Sequence, residues 1–476
     1  MNKMKLYTII GAGLFALTST TLLACSEIED GSNDMSSWPE VKDYVTTLEH
    51  PCMLHTETDF EFVKGKVQAG AQPWKNAFDH LSRGGNSLSQ SNYKASPVKL
   101  LARLDQNNWA GKYPNDWNNY TKLMKDAAAA YQLALRWKLS ETDGAQYADA
   151  AVAILNDWAK TCTGFIVNDK GEFIDPNEFL IFIQVHQIAN AAEIMRSYSG
   201  WQEADFVKFK AWIADVFYPH ITKFLSTHNG NECALHYWLN WDLSAMTALL
   251  SIGILADDNF KINEAIQYFK FGIGSGNIGN GVPFIHLDPD SNEMLGQCQE
   301  SGRDQGHATL CVSLLGAFCQ MAKNVGEDLF IFDDGRALAM CEYVAKYNIG
   351  GAETGSSSAS WKMTGFRYTD NDLPYTTYTN CSGSWDTISA QERREGKDSR
   401  GEVRPAWELV NRLAQDYGKS SIYAKMWVDK MRENASRGNS DGGAGDYGPN
   451  SGGYDQLGFG TLMFEKSKEK AVGNIT

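Results

Sequence analysis

The run Tyr120-Thr121-Lys122-Leu123-Met124-Lys125-Asp126-Ala127-Ala128-Ala129-Ala130-Tyr131-Gln132-Leu133-Ala134-Leu135 decides the fold. Tyr120, Leu123, Met124, Ala127, Tyr131, Ala134 and Leu135 recur at steps of three and four, the spacing that gathers side chains on one face of a helix. The same period returns over Tyr147–Trp158, Phe179–Met195, Phe206–Leu225, His236–Leu255, Asn263–Phe271, Thr309–Ala322, Ala337–Tyr347, Trp407–Leu413 and Ile422–Met431, whereas period-two alternation is scarce. Most connections are short, which favours antiparallel helical hairpins packed side by side. Leu243–Leu255 and Leu310–Ala322 are apolar nearly all round, and such helices belong to an inner layer. Two layers of antiparallel helices predict an all-α fold, an α/α toroid or incomplete barrel occupying 51–476 as one domain. No fixed-period repeat points to a solenoid instead. Two stretches interrupt the pattern: 272–299, rich in Gly, Asn, Asp and Pro, and 350–400, with little periodicity. Long irregular segments in a compact domain are commonly functional loops, and both are expected over one rim of the toroid.

The composition supports a large core, with 43% hydrophobic and 12% aromatic residues in a chain of 476. Disorder and disulfide-stapled miniprotein scaffolds are excluded. Against 43 Lys and Arg stand 58 Asp and Glu, a net charge of −15, which argues against a nucleic-acid partner. A polyanionic ligand therefore needs locally placed cations. The nine cysteines show no CxxC pair and no zinc spacing, so no metal is expected, and in a chain this size they do not read as a disulfide framework.

The N-terminus reads as an export signal: Lys3 and Lys5 precede an apolar stretch from Leu6 to Leu23. It closes on Leu22-Leu23-Ala24-Cys25, which resembles a bacterial lipobox and implies lipidation of Cys25 and anchoring to the outer membrane. Ser26-Glu27-Ile28-Glu29-Asp30 resembles the surface-export tag of Bacteroidota lipoproteins, and 26–50 is read as an acidic tether. No later stretch is expected to span a membrane.

Two polar constellations stand at the heads of apolar runs. In the first, His236-Tyr237-Trp238-Leu239-Asn240-Trp241-Asp242, a helix already begun at His236 would set His236 and Asn240 one turn apart. In the second, Gln299-Glu300-Ser301-Gly302-Arg303-Asp304-Gln305-Gly306-His307, helical geometry would bring Glu300, Arg303 and His307 to one face. Polar groups there are costly unless paired or used. Tyr375 and Tyr378 in the long loop are candidates for stacking or proton donation, and Arg404 heads a further helix. Gly274-Ser275-Gly276-Asn277-Ile278-Gly279 matches a dinucleotide fingerprint but follows a helix, so no cofactor is expected.

Together with Arg404-Pro405-Ala406-Trp407-Glu408-Leu409 and the tail from Gly445 to Gly460, these two runs resemble the alginate-lyase-like proteins of gut Bacteroidota, near polysaccharide lyase family 38. The resemblance spans roughly 51–464 and is most specific over Glu300–His307. It implies an α/α toroid that cleaves an acidic uronic-acid polysaccharide by β-elimination. Relative to the alginate lyases of family 5, an Asn-Asn-His run falls on Cys233-Ala234-Leu235, and the acid tyrosine falls on His307.

The reaction removes a weakly acidic C5 proton next to a carboxylate and expels the C4 oxygen, so it needs donors on the carboxylate, a base and an acid. The expected assignment gives the carboxylate to Arg303 and Asn240 with Asn231, the base to His236, and the acid to His307 or a loop tyrosine. Glu300 would orient Arg303 or His307. Tyr237, Trp238, Trp241 and Gln299 would complete the sugar contacts. Two other classes fit the same residues. A glycoside hydrolase would use Glu300 with Asp304 or Asp242 as a carboxylate pair, and a SusD-like surface glycan-binding lipoprotein would bind without turnover.

Overall fold

The stripe that begins at Tyr120 is buried along one element of a helical ring. A computed structural model describes residues 40–142, 144–230, 233–354 and 373–466, all within one compact unit. The longer helices are α1 (Glu57–Gln68), α2 (Trp74–Ser82), α3 (Tyr120–Leu139), α4 (Ala145–Thr161), α5 (Phe182–Met195), α6 (Glu203–Thr227), α7 (Leu239–Ala256), α8 (Asn259–Phe271), α9 (Gln305–Asn324), α10 (Phe332–Thr354), α11 (Trp407–Asp416) and α12 (Ile422–Met431). Alternate helices pack on one another: α3 on α5, α5 on α7, α7 on α9, and α9 on α11. The intervening helices back them, α4 on α3, α6 and α8 on α7, and α12 on α10 and α11. This is the α/α toroid that the periodicity predicts.

The layers follow from the residues. Every side chain of α5 is buried, and in α7 only Trp241 and Ala256 are not. α6 instead buries Phe206, Phe209, Ile213, Phe217, Ile221 and Phe224 on one face and turns Pro219 outward, as an outer helix should. By length and composition alone α7 is long and apolar enough to cross a membrane, although the sequence reading finds no later stretch apolar over the roughly 18 to 20 residues a span requires. Within the fold 89% of that stretch is buried, so its apolar surface serves the core, at about 1.5–3 kcal/mol for each fully covered Leu or Ile.

Strands occur only as short pairs among the described residues: β1 (Leu100–Leu101) parallel to β2 (Gly164–Phe165), β3 (Phe284–Leu287) antiparallel to β4 (Met294–Gln297), and β5 (Tyr378–Asn380) antiparallel to β6 (Gly383–Trp385). Each of the two interruptions contains a hairpin among its described residues, and the stretches meet: Gln297 exchanges hydrogen bonds with the backbone of Thr376. The acidic turn between β3 and β4 carries its own cation. Fully buried Lys346 of α10 places Nζ 2.5 Å from Asp288 and 2.6 Å from Asp290, and Tyr423 also donates to Asp288.

The cysteine reading needs one correction. Cys233 and Cys381 form a disulfide across 148 residues, while Cys52, Cys162, Cys298, Cys311, Cys319 and Cys341 are free and buried. The segment before α1 is pinned by His50, which bonds Glu193 at 2.5 Å and Asp257 at 2.7 Å. Burial opposes charge on His50, but its hydrogen bonds to Cys52 and Glu193 and the Glu193 charge raise it to about 10.

Candidate active site

Because each inner helix is followed by an outer one that returns, the starts of the inner helices gather at one rim. Their approaches carry the polar residues: Arg103 before α3, Asp175 and Asn177 before α5, His236 and Trp238 before α7, Arg303 before α9, and Arg404 before α11. Helix N-termini are partially positive, which suits an anion.

The approach to α7 departs from expectation. Ala234–His236 is a 3₁₀ turn, Tyr237 and Trp238 are extended, and the helix starts at Leu239. His236 therefore stands outside the helix, exposed, and does not share a helical face with Asn240. Asn240 is fully buried; its backbone N–H donates to Glu300 Oε1 at 3.3 Å, and neither polar atom of its side chain has a hydrogen-bond partner.

The second constellation is likewise broken. Gln299–Gly302 is a 3₁₀ turn, and Asp304 is extended and serves as the N-cap of α9, accepting from the His307 amide at 2.8 Å. Glu300, Arg303 and His307 are thus not on one helix, because the cap residue interrupts it. They are joined through Arg303 and Asp304 instead. Arg303 lies 3.4 Å from Glu300 and 3.5 Å from Asp304, and its guanidinium sits over the Trp238 ring at 5.2 Å. Asp304 Oδ2 meets His307 Nδ1 at 2.7 Å. Burial opposes the Asp304 charge, but the hydrogen bond and charge of His307, with Arg303, hold the carboxyl at about 2. Burial raises Glu300, only partly offset by Arg303.

Arg303 lines two adjoining clefts. One, of about 430 Å³, is walled by His236, Tyr237, Trp238, Trp241, Ser382, Trp385, Gln391 and the Asp175–Asn177 segment. The other, of about 600 Å³, is walled by Asp304, His307, Gln391, Glu392 and residues up to Ser399. Arg303 and Gln391 belong to both, so the guanidinium borders one cleft that holds His236 and indole faces and another that holds His307. A cleft of about 410 Å³ between α1 and the start of α4 contains neither histidine nor arginine.

The other predicted residues take supporting places. Gln299 is fully buried and donates to Tyr378 Oη at 2.8 Å and Ser275 Oγ at 2.9 Å. Tyr375 donates to the Trp385 carbonyl at 3.2 Å, Tyr378 stacks on Trp385, and neither lines the two clefts. Tyr237 lines the first cleft and hydrogen-bonds Asn229. Arg404 is 6% exposed, paired with Glu402 at 2.9 Å and 3.8 Å from Asp455. Asn231 and Cys25 lie outside the described residues.

Of the carboxylates considered for hydrolysis, Glu300 and Asp242 are fully buried and Asp304 is held by His307 and Arg303. Asp242 accepts from Tyr268 at 2.7 Å and from the Gly276 amide at 2.8 Å, and it faces His228 at 3.3 Å. The glycine-rich run is a packing device: a Cβ on Gly274 would lie 2.4 Å from His228 and 2.5 Å from Asp242. The sequence reading missed Ser382, Trp385 and Gln391, although it singled out the loop that bears them. It also missed Asp304 as a cap, where an Asp three residues before His at the head of an apolar helix was the available signal.

The alginate lyase family model matches residues 79–354, more than half of the chain. No curated protein matches. Among solved structures, alginate lyase A1-III from Sphingomonas species A1 is similar at a TM-score of 0.50, with 12% identity over 86% of this chain and 95% of that one. An alginate lyase from Bacteroides ovatus is similar at 0.48, with 13% identity over 80% of this chain and 96% of that one. At such identities the likeness concerns the fold alone, whereas the family match concerns the sequence from α2 through α10. The chain belongs to the alginate lyase family.

Proposed function

We propose that the protein is a polysaccharide lyase that cleaves a 1,4-linked uronic-acid polymer, polymannuronate-type alginate or glucuronan, by β-elimination, and that it is allied to polysaccharide lyase family 38. The observation that carries this reading is that Arg303 lines both the cleft that holds His236 and the cleft that holds the Asp304-bonded His307.

In this mechanism the uronate carboxylate lies on Arg303, which offsets the charge that builds as the C5 proton leaves. His236 takes that proton, the C5–H electrons form the C4–C5 double bond, the C4–O bond breaks, and His307 protonates the departing oxygen. The partners favour this order of roles. The Asp304 carboxylate compensates an imidazolium at His307, the form an acid requires, whereas His236 bonds a neutral serine hydroxyl and is free to accept. Trp238 and Trp241 offer faces for sugar rings. The lipobox at Cys25 adds, as part of the same proposal, export and a lipid anchor in the outer membrane.

The product mass tests the reaction type. Each elimination leaves the fragment with the new, unsaturated end lighter by one water than hydrolysis would, while the fragment that keeps the original non-reducing end has the same mass by either route. Products found only at hydrolytic masses would replace the lyase reading with the glycosidase one.

A further inference from the structure

Resting on the assignment of His236 as base, we infer that Ser382 is its positioning residue, and that the Cys233–Cys381 disulfide docks Ser382 so that His236 keeps its proton on Nδ1 and a lone pair on Nε2.

The β5–β6 register pairs Asn380 with Gly383, which leaves Cys381 and Ser382 as the two residues of the turn. Both are committed to the segment that carries His236. Cys381 is bonded to Cys233, the residue whose carbonyl accepts the His236 amide at 2.9 Å. Ser382 Oγ lies 2.7 Å from His236 Nδ1. Asn380 ties the two sides together, donating from Nδ2 to the Leu235 carbonyl at 2.7 Å and accepting from the Ser382 amide at 2.8 Å.

The tautomer follows from donor and acceptor chemistry. Ser382 Oγ also reaches the His236 carbonyl oxygen at 3.4 Å, and a carbonyl can only accept. With the hydroxyl proton directed there, the oxygen lone pair is left to accept from Nδ1–H, and Nε2 is unprotonated, as a base requires. His236 is exposed, and a lone hydrogen bond between two surface side chains holds a ring weakly in water. The covalent link removes that weakness, because it keeps the serine beside the ring whether or not the hydrogen bond is momentarily made.

The test is nitrogen-15 spectroscopy of the imidazoles in the full-length protein, with the His236 signals assigned by their loss in His236→Gln. The neutral ring of the wild type should show a protonated Nδ1 and an unprotonated Nε2. Ser382→Ala should move both shifts toward a tautomer mixture, Ser382→Thr should restore them, and the double variant Cys233→Ser/Cys381→Ser should resemble Ser382→Ala. On a uronan that is cleaved, Ser382→Ala should lower kcat roughly tenfold or more with little change in KM. Unchanged His236 shifts in folded Ser382→Ala, or unchanged shifts when both cysteines are replaced, would overturn the assignment. The spectra do not require turnover. A tautomer change in a protein that cleaves no uronan would support the role of Ser382 while removing the lyase reading.

Discussion

Asp304 has two tasks that one substitution separates. One oxygen caps α9 through the His307 amide, and the other holds His307 Nδ1. Asn caps helices as well as Asp does. Asp304→Asn is therefore expected to keep the cap and to cost, in urea unfolding, only the stability that the carboxylate charge adds, while lowering kcat at least about tenfold, because the imidazolium loses its compensating anion. A large loss of stability with normal turnover would reverse that division. At this scale the sequence shows His236, Arg303 and His307 plainly, since polar side chains at the head of an apolar helix need a reason to be there. It does not show how they are phased. Extended Tyr237 and Trp238, and the extended cap at Asp304, each interrupt a helix that spacing alone would continue. Nor does it show Ser382, which reaches His236 from 146 residues away, or the disulfide beside it, whose partners spacing cannot pair.

Among the elements, the inner helices were legible because burial on all sides leaves a continuous apolar run, and the outer ones because burial on one side leaves a stripe. The β3–β4 hairpin was not, since four residues per strand are too few for alternation to stand out within a Gly- and Pro-rich stretch. Its acidic turn is held by Lys346. Lys346→Met would leave Asp288 buried without its cation, and breaking such a pair costs about 3–5 kcal/mol. Urea denaturation should show a loss of that order, with partial recovery when Asp288→Asn is added. A loss below about 1 kcal/mol would mean that water or a bound cation replaces the ammonium.

For the whole molecule, buried ionisable groups set how stability depends on pH. Burial pushes Glu178 up to about 8 and Glu264, Glu342 and Asp441 up to about 7. The folded protein keeps protons there that the unfolded chain releases, so these groups lower stability as pH rises from the ordinary carboxyl range through about 8. His50, raised to about 10, contributes fully below 6.5 and loses its contribution as pH climbs from 6.5 through 10. Burial holds His55, His186 and His220 at about 4, 3 and 4, so the unfolded chain takes up protons that the folded one refuses, and stability gains as pH rises toward 6.5. Asp288, Asp304 and Asp446, held at about 2, add stability above 3.8 that is lost as pH falls toward 2. The opposing slopes predict a plateau in Tm between about pH 4.5 and 6.5, with decline on both sides. A Tm that fails to fall between about pH 6.5 and 8 would contradict the protons assigned to the buried carboxyls and to His50 in the folded protein. On a chain of net charge −15 a polyanion needs a local cation, and the proposed mechanism gives that role to Arg303. The most direct test follows ultraviolet absorbance of the unsaturated uronate during separate incubations with polymannuronate, polyguluronate and glucuronan, comparing wild type with Arg303→Ala. Absorbance should rise with polymannuronate or glucuronan and slow at least about a hundredfold in the variant. No rise on any of the three, or an equal rise from Arg303→Ala, would contradict the account.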